Sequence, residues 1–156
     1  MKRTSAFCFV AAAIFAIAPV RGEELASAED PPGLLKCTVG SLESCQSGRE
    51  SIRLQYRASL EGTTSAQRWM AKCYADGCNG TVQKNRPLAC AWRQVIVKTG
   101  ELRTQKRSAA SEVNGADVDA MANACDALSP QEAKAAEAGF SWLLHFSSEM
   151  AGLRDE

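Results

Sequence analysis

The chain has 156 residues, of which 46% are hydrophobic and 23% charged, and its 18 basic residues are balanced by 18 acidic ones. These values are typical of a globular domain, so they exclude a largely disordered chain. Because the basic and acidic residues are equal in number, the chain lacks the excess positive charge that is typical of nucleic-acid-binding proteins. A single histidine excludes His-rich metal sites and multi-histidine relays. We therefore expect one small folded domain without a metal or another cofactor.

Residues 1–22 have the three parts of a secretory signal peptide. Lys2 and Arg3 precede an uncharged run over residues 6–18, and a short stretch then ends in a glycine. This run is shorter than the roughly 20 residues that a membrane-spanning helix needs, so we expect no stable membrane anchor after cleavage. Cleavage after Gly22 is preferred, and cleavage after Ala28 stays open. The protein is predicted to be exported, either to the periplasm or by full secretion.

Removing the signal peptide discards one of the seven cysteines and leaves an even number. An even count in a small exported chain is typical of a disulfide framework, because oxidising compartments preserve such bonds. Zinc binding is the weaker alternative, since the chain has no Cys-x-x-Cys pair. Many pairings are possible, and sequence proximity favours Cys37 with Cys45. The disulfide candidates are Cys37, Cys45, Cys73, Cys78, Cys90 and Cys125.

Positive charge is concentrated in the middle of the chain. Residues 48–107 contain 12 basic and 4 acidic residues, whereas the flanking segments are acidic. The charges either form solvated faces that neutralise one another, or they present a basic surface to an anionic partner such as an acidic protein or a membrane surface. The candidate partner-binding residues are Arg49, Arg53, Arg57, Arg68, Lys72 and Arg93.

The mature chain begins with a polar tract, residues 23–33, that ends in Asp-Pro-Pro-Gly. This tract is predicted to be a linker, because two consecutive prolines do not fit a helix interior. The spacing of apolar residues then predicts helices at about 48–60, 65–74 and 86–98, the first with a basic side. The second and third of these helices are expected to form an antiparallel pair.

A loop and two further helices are predicted after Gly100. Residues 101–115 are mostly polar, which indicates a loop, and a short helix is expected to start at Asp117. Ser129, Pro130 and Glu132 form a strong helix start, because Ser can cap, Pro suits the first turn and Glu completes a capping box. The last helix, about 130–150, is expected to cap the array with one apolar face: Ala133, Ala136, Phe140, Leu143 and Leu144.

Residues 66–100 carry an ordered series of small, aliphatic, aromatic and glycine residues: Ala66, Tyr74, Gly77, Gly80, Val82, Ala89, Trp92 and Gly100. This series resembles one Sel-1-like repeat, an α/α unit related to the tetratricopeptide repeat. In such a repeat, small residues let two helices approach, aromatic residues fill the space between them, and glycines turn the chain. Met70, Ala71 and Asn85 depart from the Leu, Gly and Asp of the family pattern. Upstream, residues 56–62 resemble the tail of a preceding repeat.

The resemblance implies an all-α fold for residues 34–156: a short α/α-repeat solenoid of antiparallel helix pairs with a C-terminal capping helix. About one and a half repeats are present, whereas about three are normally needed for stability. Disulfides are therefore expected to brace the array. On the implied helix pairs, Cys90 can reach Cys125, which leaves Cys73 to Cys78.

The resemblance also implies protein recognition, so the chain is predicted to be an exported, non-enzymatic protein-protein interaction module with an unknown, acidic protein partner. No nucleophile motif or phosphate-binding glycine loop occurs, and His145 is interpreted as a packed or surface residue. Trp69 and Trp92 are interpreted as core residues rather than a ligand groove with Trp142. Two alternatives stay open: a β-lactam-binding or β-lactam-hydrolysing protein, which some cysteine-rich relatives resemble, and a structural envelope protein.

Overall fold

The computed structural model describes residues 30–37, 42–107 and 114–150. Within these ranges the chain is all-α, as predicted, with one turn of 3-10 helix at Cys78–Gly80. The predicted signal peptide, both cleavage sites and the first part of the predicted linker lie outside the described residues. The α-helices are α1 Leu42–Leu60, α2 Thr64–Asp76, α3 Arg86–Arg107, α4 Gly115–Cys125 and α5 Pro130–Met150.

Two helices are longer than their sequence signals indicate. α1 begins at Leu42, ahead of the predicted start near Gly48, and α3 runs to Arg107. The prediction of a loop from residue 101 was therefore wrong for residues 101–107. The sequence favoured a helix end at Gly100, because glycine in a helix interior costs about 1 kcal/mol relative to alanine. In the structure α3 continues through Gly100, which is buried among the packed helices. Its neighbour Thr99 is also buried, and the Thr99 hydroxyl donates to the Val95 carbonyl at 2.8 Å, so its polar group is satisfied.

The core lies where α1, α2 and α3 pack together, and α5 covers its other side. Trp92 on α3 is fully buried and meets Tyr56 of α1 edge to face, with ring centroids 6.3 Å apart. Leu143 of α5 is 1% exposed and belongs to the same cluster. Gly139 lets α5 approach α3 closely, since an added Cβ would lie 3.3 Å from the Cβ of Ala91.

The residues that carry the repeat pattern lie between α2 and α3. Ala71, Tyr74 and Ala89 are buried together with Trp92. Gly77 ends α2 with φ 89°, a left-handed conformation that favours glycine, and its N–H donates to the Cys73 carbonyl at 2.8 Å. The small and aromatic positions and Gly77 thus have the packing and turning roles that an α/α pair requires, whereas Gly100 lies inside α3 and does not turn the chain.

Three disulfides brace the described part of the chain: Cys37–Cys45, Cys73–Cys78 and Cys90–Cys125. These are the predicted pairs. The first two join cysteines only 8 and 5 residues apart. The third joins cysteines 35 residues apart and fastens α3 to the end of α4.

The N-terminal segment, residues 30–37, is bound to the helices. Leu34 forms an isolated antiparallel bridge with Val82, flanked by a 2.9 Å hydrogen bond from the Leu35 N–H to the Thr81 carbonyl. Pro31 is buried. The structure thus packs the last four residues of the predicted linker, 30–33, against the helical body.

Candidate functional site

An open groove of about 850 Å³ lies at the N-terminal end of the molecule, between the N-terminal segment, α1, α2 and the turn that follows α2. Ligand-binding clefts usually have volumes of roughly 300–1,000 Å³, so the N-terminal groove falls within that range. The lining residues that matter for its chemistry are Leu35, Lys36, Ile52, Trp69, Lys72 and Asp76.

The α2 wall of the groove follows from helical periodicity. Trp69, Lys72 and Asp76 are three, four and seven residues apart, so they lie on one face of the helix. Trp69 is half-buried, because it also packs against the core cluster. Ile52 of α1 is 3% exposed and contributes to the apolar floor. The groove therefore combines an apolar floor with polar groups at its edge.

The turn wall is an unusual run of left-handed backbone. Gly77, Cys78, Asn79 and Gly80 have φ values of 89°, 41°, 56° and 77°. A non-glycine residue in the left-handed backbone conformation loses roughly 1–2 kcal/mol of conformational free energy. The Cys73–Cys78 disulfide and the Asp76 carboxylate, which accepts a 2.8 Å hydrogen bond from the Cys78 N–H, hold the turn in place. The shape of this wall is thus set by covalent and polar restraints.

The N-terminal wall is anchored by two of the predicted partner-binding arginines. Arg53 forms a two-pronged ion pair with Asp30, in which Nη2 lies 3.3 Å from Oδ2. Arg49 donates to the Leu35 carbonyl, and its Nη2 lies 3.9 Å from Oδ2 of Asp30. The hydrogen bond from Arg53 lowers the pKa of Asp30 below its usual value. These arginines position residues 30–35 beside the groove.

Arg68 and Arg93 lie around Asp117 and outside the groove lining. The Arg68 guanidinium donates from Nε and Nη2 to the two Asp117 carboxylate oxygens, at 2.8 and 2.6 Å. The Asp117 side chain is 6% exposed and also forms a capping box with Asn114 at the start of α4. The hydrogen bonds from Arg68 lower the pKa of Asp117, and burial lowers the pKa of Arg93.

The six predicted contact residues therefore do not form a single basic surface. Arg57 and Lys72 are exposed, and Lys72 is the one among them that lines the groove. Lys36, which also lines it, was missed by the sequence reasoning. It lies in an acidic stretch of the sequence, which drew attention away from it. Its position next to Cys37 was the only signal that could have placed it near the groove, because the Cys37–Cys45 disulfide fixes that segment beside α1.

The three tryptophans have different environments. Trp92 is a core residue, as interpreted from the sequence. Trp69 has both a core face and a groove face. Trp142 is 41% exposed on α5 and stacks on Phe146 with ring centroids 5.7 Å apart. His145, beside them on the same helix, is exposed.

No trio of His, Cys, Asp or Glu side chains in the described ranges is placed to hold a metal ion. None of the described helices is both long and apolar enough to cross a membrane. The chain matches no family model, no curated protein and no solved structure. The resemblance to Sel-1-like repeats therefore stays a prediction from residues 66–100.

Proposed function

We propose that the protein is an exported, disulfide-braced module of the Sel-1-like type that binds a partner protein through the N-terminal groove, in the periplasm and without catalysing a reaction. The observation that carries this proposal is the groove itself, with Trp69 and Ile52 in its floor and lysines at its edge. Partly exposed aromatic side chains in a desolvated floor are typical anchors for protein ligands.

The placement of the disulfides supports a binding role for the groove. In the chain-entropy model, a disulfide stabilises a fold less when the loop that it closes is short. The two short-loop disulfides both border the groove, through Cys45 and Cys78. A pre-shaped surface loses less conformational entropy when a ligand binds, so these disulfides favour binding beyond their contribution to overall stability.

Export and the repeat type have separate support. Disulfides persist in oxidising compartments, which fits the signal-like N-terminus. The α2–α3 pair buries Ala71, Tyr74, Ala89 and Trp92 at the positions where the family pattern has small and aromatic residues. Protein recognition by such helix pairs is the property that the resemblance brings to this chain.

Site-specific photo-crosslinking tests the proposal. A photoreactive residue is placed at position 72, in the groove, or at position 134, which is exposed on α5. The oxidised, processed chain is then incubated with envelope extract of the source cell and crosslinked. We expect a discrete protein adduct from position 72 and none from position 134. Equal adducts from both positions, or none from position 72, would contradict a groove-borne interaction and favour the structural alternative.

The β-lactam alternative has a direct test of its own. The purified chain is incubated with a fluorescent penicillin and then denatured. We expect no covalent label, because the sequence contains no recognised nucleophile motif. A label that survives denaturation and is competed by unlabelled penicillin would favour the β-lactam-binding alternative instead.

A further inference from the structure

The side chains that line the N-terminal groove carry more positive than negative charge. Lys36 and Lys72 bring two ammonium groups, whereas Asp76 brings one carboxylate. One oxygen of that carboxylate already accepts the hydrogen bond from Cys78. Asp30, the other carboxylate of this end, is held by Arg53 and Arg49. The groove is therefore positively charged towards a ligand.

The two lysines differ from the neighbouring arginines in what they contact. Arg49, Arg53 and Arg68 are engaged with carboxylates. Lys36 and Lys72 are exposed, and neither joins an ion pair within the described part of the chain. Two exposed ammonium groups in the same lining as the apolar surfaces of Trp69 and Ile52 are complementary to a segment that carries carboxylates and an apolar side chain.

We infer that the N-terminal groove binds an acidic, extended segment of a partner protein, with an aromatic side chain on Trp69 and flanking carboxylates at Lys36 and Lys72. This inference rests on the proposed function and specifies its ligand. The floor provides an aromatic surface for offset or edge-to-face packing. The lysines at the edge accelerate association and discriminate against basic segments.

The groove is open to solvent, as a site for a segment that continues into the rest of a partner protein must be. Its walls come from four parts of the chain: the N-terminal segment, α1, α2 and the turn after α2. The walls are fixed by the Cys37–Cys45 and Cys73–Cys78 disulfides, so binding does not require them to be ordered first.

Fluorescence anisotropy with a labelled peptide tests the inference. The probe is a short peptide of alternating Asp and Glu around one Phe, and the matched probes carry Asn and Gln instead of the acids, or Gly instead of Phe. We expect the acidic Phe peptide to bind most tightly and to weaken as salt is added, because screening reduces exposed charge interactions.

Two protein variants with the same change in net charge locate the site. Exposed charge pairs are individually weak, so reversal of both lysines in K36E/K72E is expected to weaken peptide binding about tenfold. The control R57E/K134E reverses two exposed basic residues outside the groove lining and should change binding less than about twofold. In NMR spectra, the indole N–H signal of Trp69 should shift on peptide addition, while that of Trp142 stays unchanged.

Several results would overturn the inference. One is an equal loss of peptide affinity in K36E/K72E and R57E/K134E. Another is tighter binding of the uncharged Asn/Gln peptide than of the acidic Phe peptide. No peptide binding together with a retained crosslink from position 72 would also overturn it, while the proposed function would stand. Loss of that crosslink removes the proposed function separately, so the two failures are distinguishable.

Discussion

The two ends of the molecule are held together by different means. At the N-terminal end, the two disulfides close loops of only 8 and 5 residues, and a β-bridge and arginine contacts tie the N-terminal segment to the helices. At the C-terminal end, Cys90–Cys125 spans 35 residues and the Arg68–Asp117 ion pair spans 49. The first arrangement shapes a surface, and the second assembles separate helices into one body.

Burial adds to this difference. α5 covers α3 with Leu143 in the core and with Gly139 against Ala91, so its attachment is largely apolar. The N-terminal segment buries Pro31 and packs Leu34 against the core, but a short β-bridge and arginine contacts also hold it. The comparison indicates that helix packing at the C-terminal end depends mainly on apolar burial, whereas the groove depends on short-loop disulfides and polar contacts.

Removal of the disulfides should give the largest effect and the sharpest contrast. The chain-entropy model predicts a loss of about 4 kcal/mol for C90A/C125A, but only about 2 kcal/mol for C73A/C78A. Urea denaturation of the oxidised proteins measures both values. If the two variants lose the same stability, loop length does not govern the contribution of these bonds.

Asp117 provides the next test of the C-terminal end. In D117N, the buried charge that meets Arg68 is lost and the capping box is weakened, so we expect a loss of about 2 kcal/mol. D119N is the matched control, because Asp119 lies two residues further along α4 and is exposed. Thermal and urea unfolding should show almost no change for this control. A comparable loss in both variants would assign the effect to α4 propensity rather than to the Arg68 contact.

The same carboxylate predicts a pH dependence. The pKa of Asp117 in the folded protein is lowered, mainly by its hydrogen bonds from Arg68. Its contribution is therefore complete above the unfolded pKa of about 3.9 and is lost as the pH falls through the lower folded value. The stability difference between the unaltered chain and D117N should be constant near neutral pH and shrink below about pH 4. A difference that is independent of pH down to the acid transition would contradict this assignment.

The smallest predicted effect is at the groove. Both G77A and G80A place a side chain at positive φ, which costs about 1 kcal/mol. Gly77 also faces the Val82 carbonyl oxygen and Lys84 Cγ, each 3.2 Å from an added Cβ, whereas Gly80 has nothing within 4 Å. G77A should thus be the more destabilising of the two in urea denaturation. An equal loss of stability in the two variants would show that the contacts with Val82 and Lys84 yield easily. A larger loss in G80A would contradict the prediction.

The start of α5 was predictable because a capping sequence marks it, whereas α1 begins six residues before its predicted start. The α5 start was predicted from Ser129 and Glu132, and the Ser129 N–H does donate to the Glu132 carboxylate at 2.8 Å. Such a cap is encoded within four residues. The continuation of α3 through Gly100 was not predictable in this way, because the burial of Gly100 depends on the other helices packed around α3.

The candidate site was only partly predictable. The spacing of Arg49 and Arg53 correctly placed them near one another on α1, but Asp30, which binds both, is 23 residues before Arg53 and belonged to a predicted linker. Lys36 was missed because it lies in an acidic stretch of the sequence. Which basic residues are engaged and which face the groove depends on distant carboxylates.

By itself, the sequence determined the helical character, the cap of α5 and the glycine turn after α2, because each arises from neighbouring residues. Only the tertiary structure decided which arginines pair with Asp30 and Asp117 and that Lys36 and Lys72 line one groove. The physical reason is that ion pairing and burial depend on distances across the folded body, which are set by the packing of all the helices together.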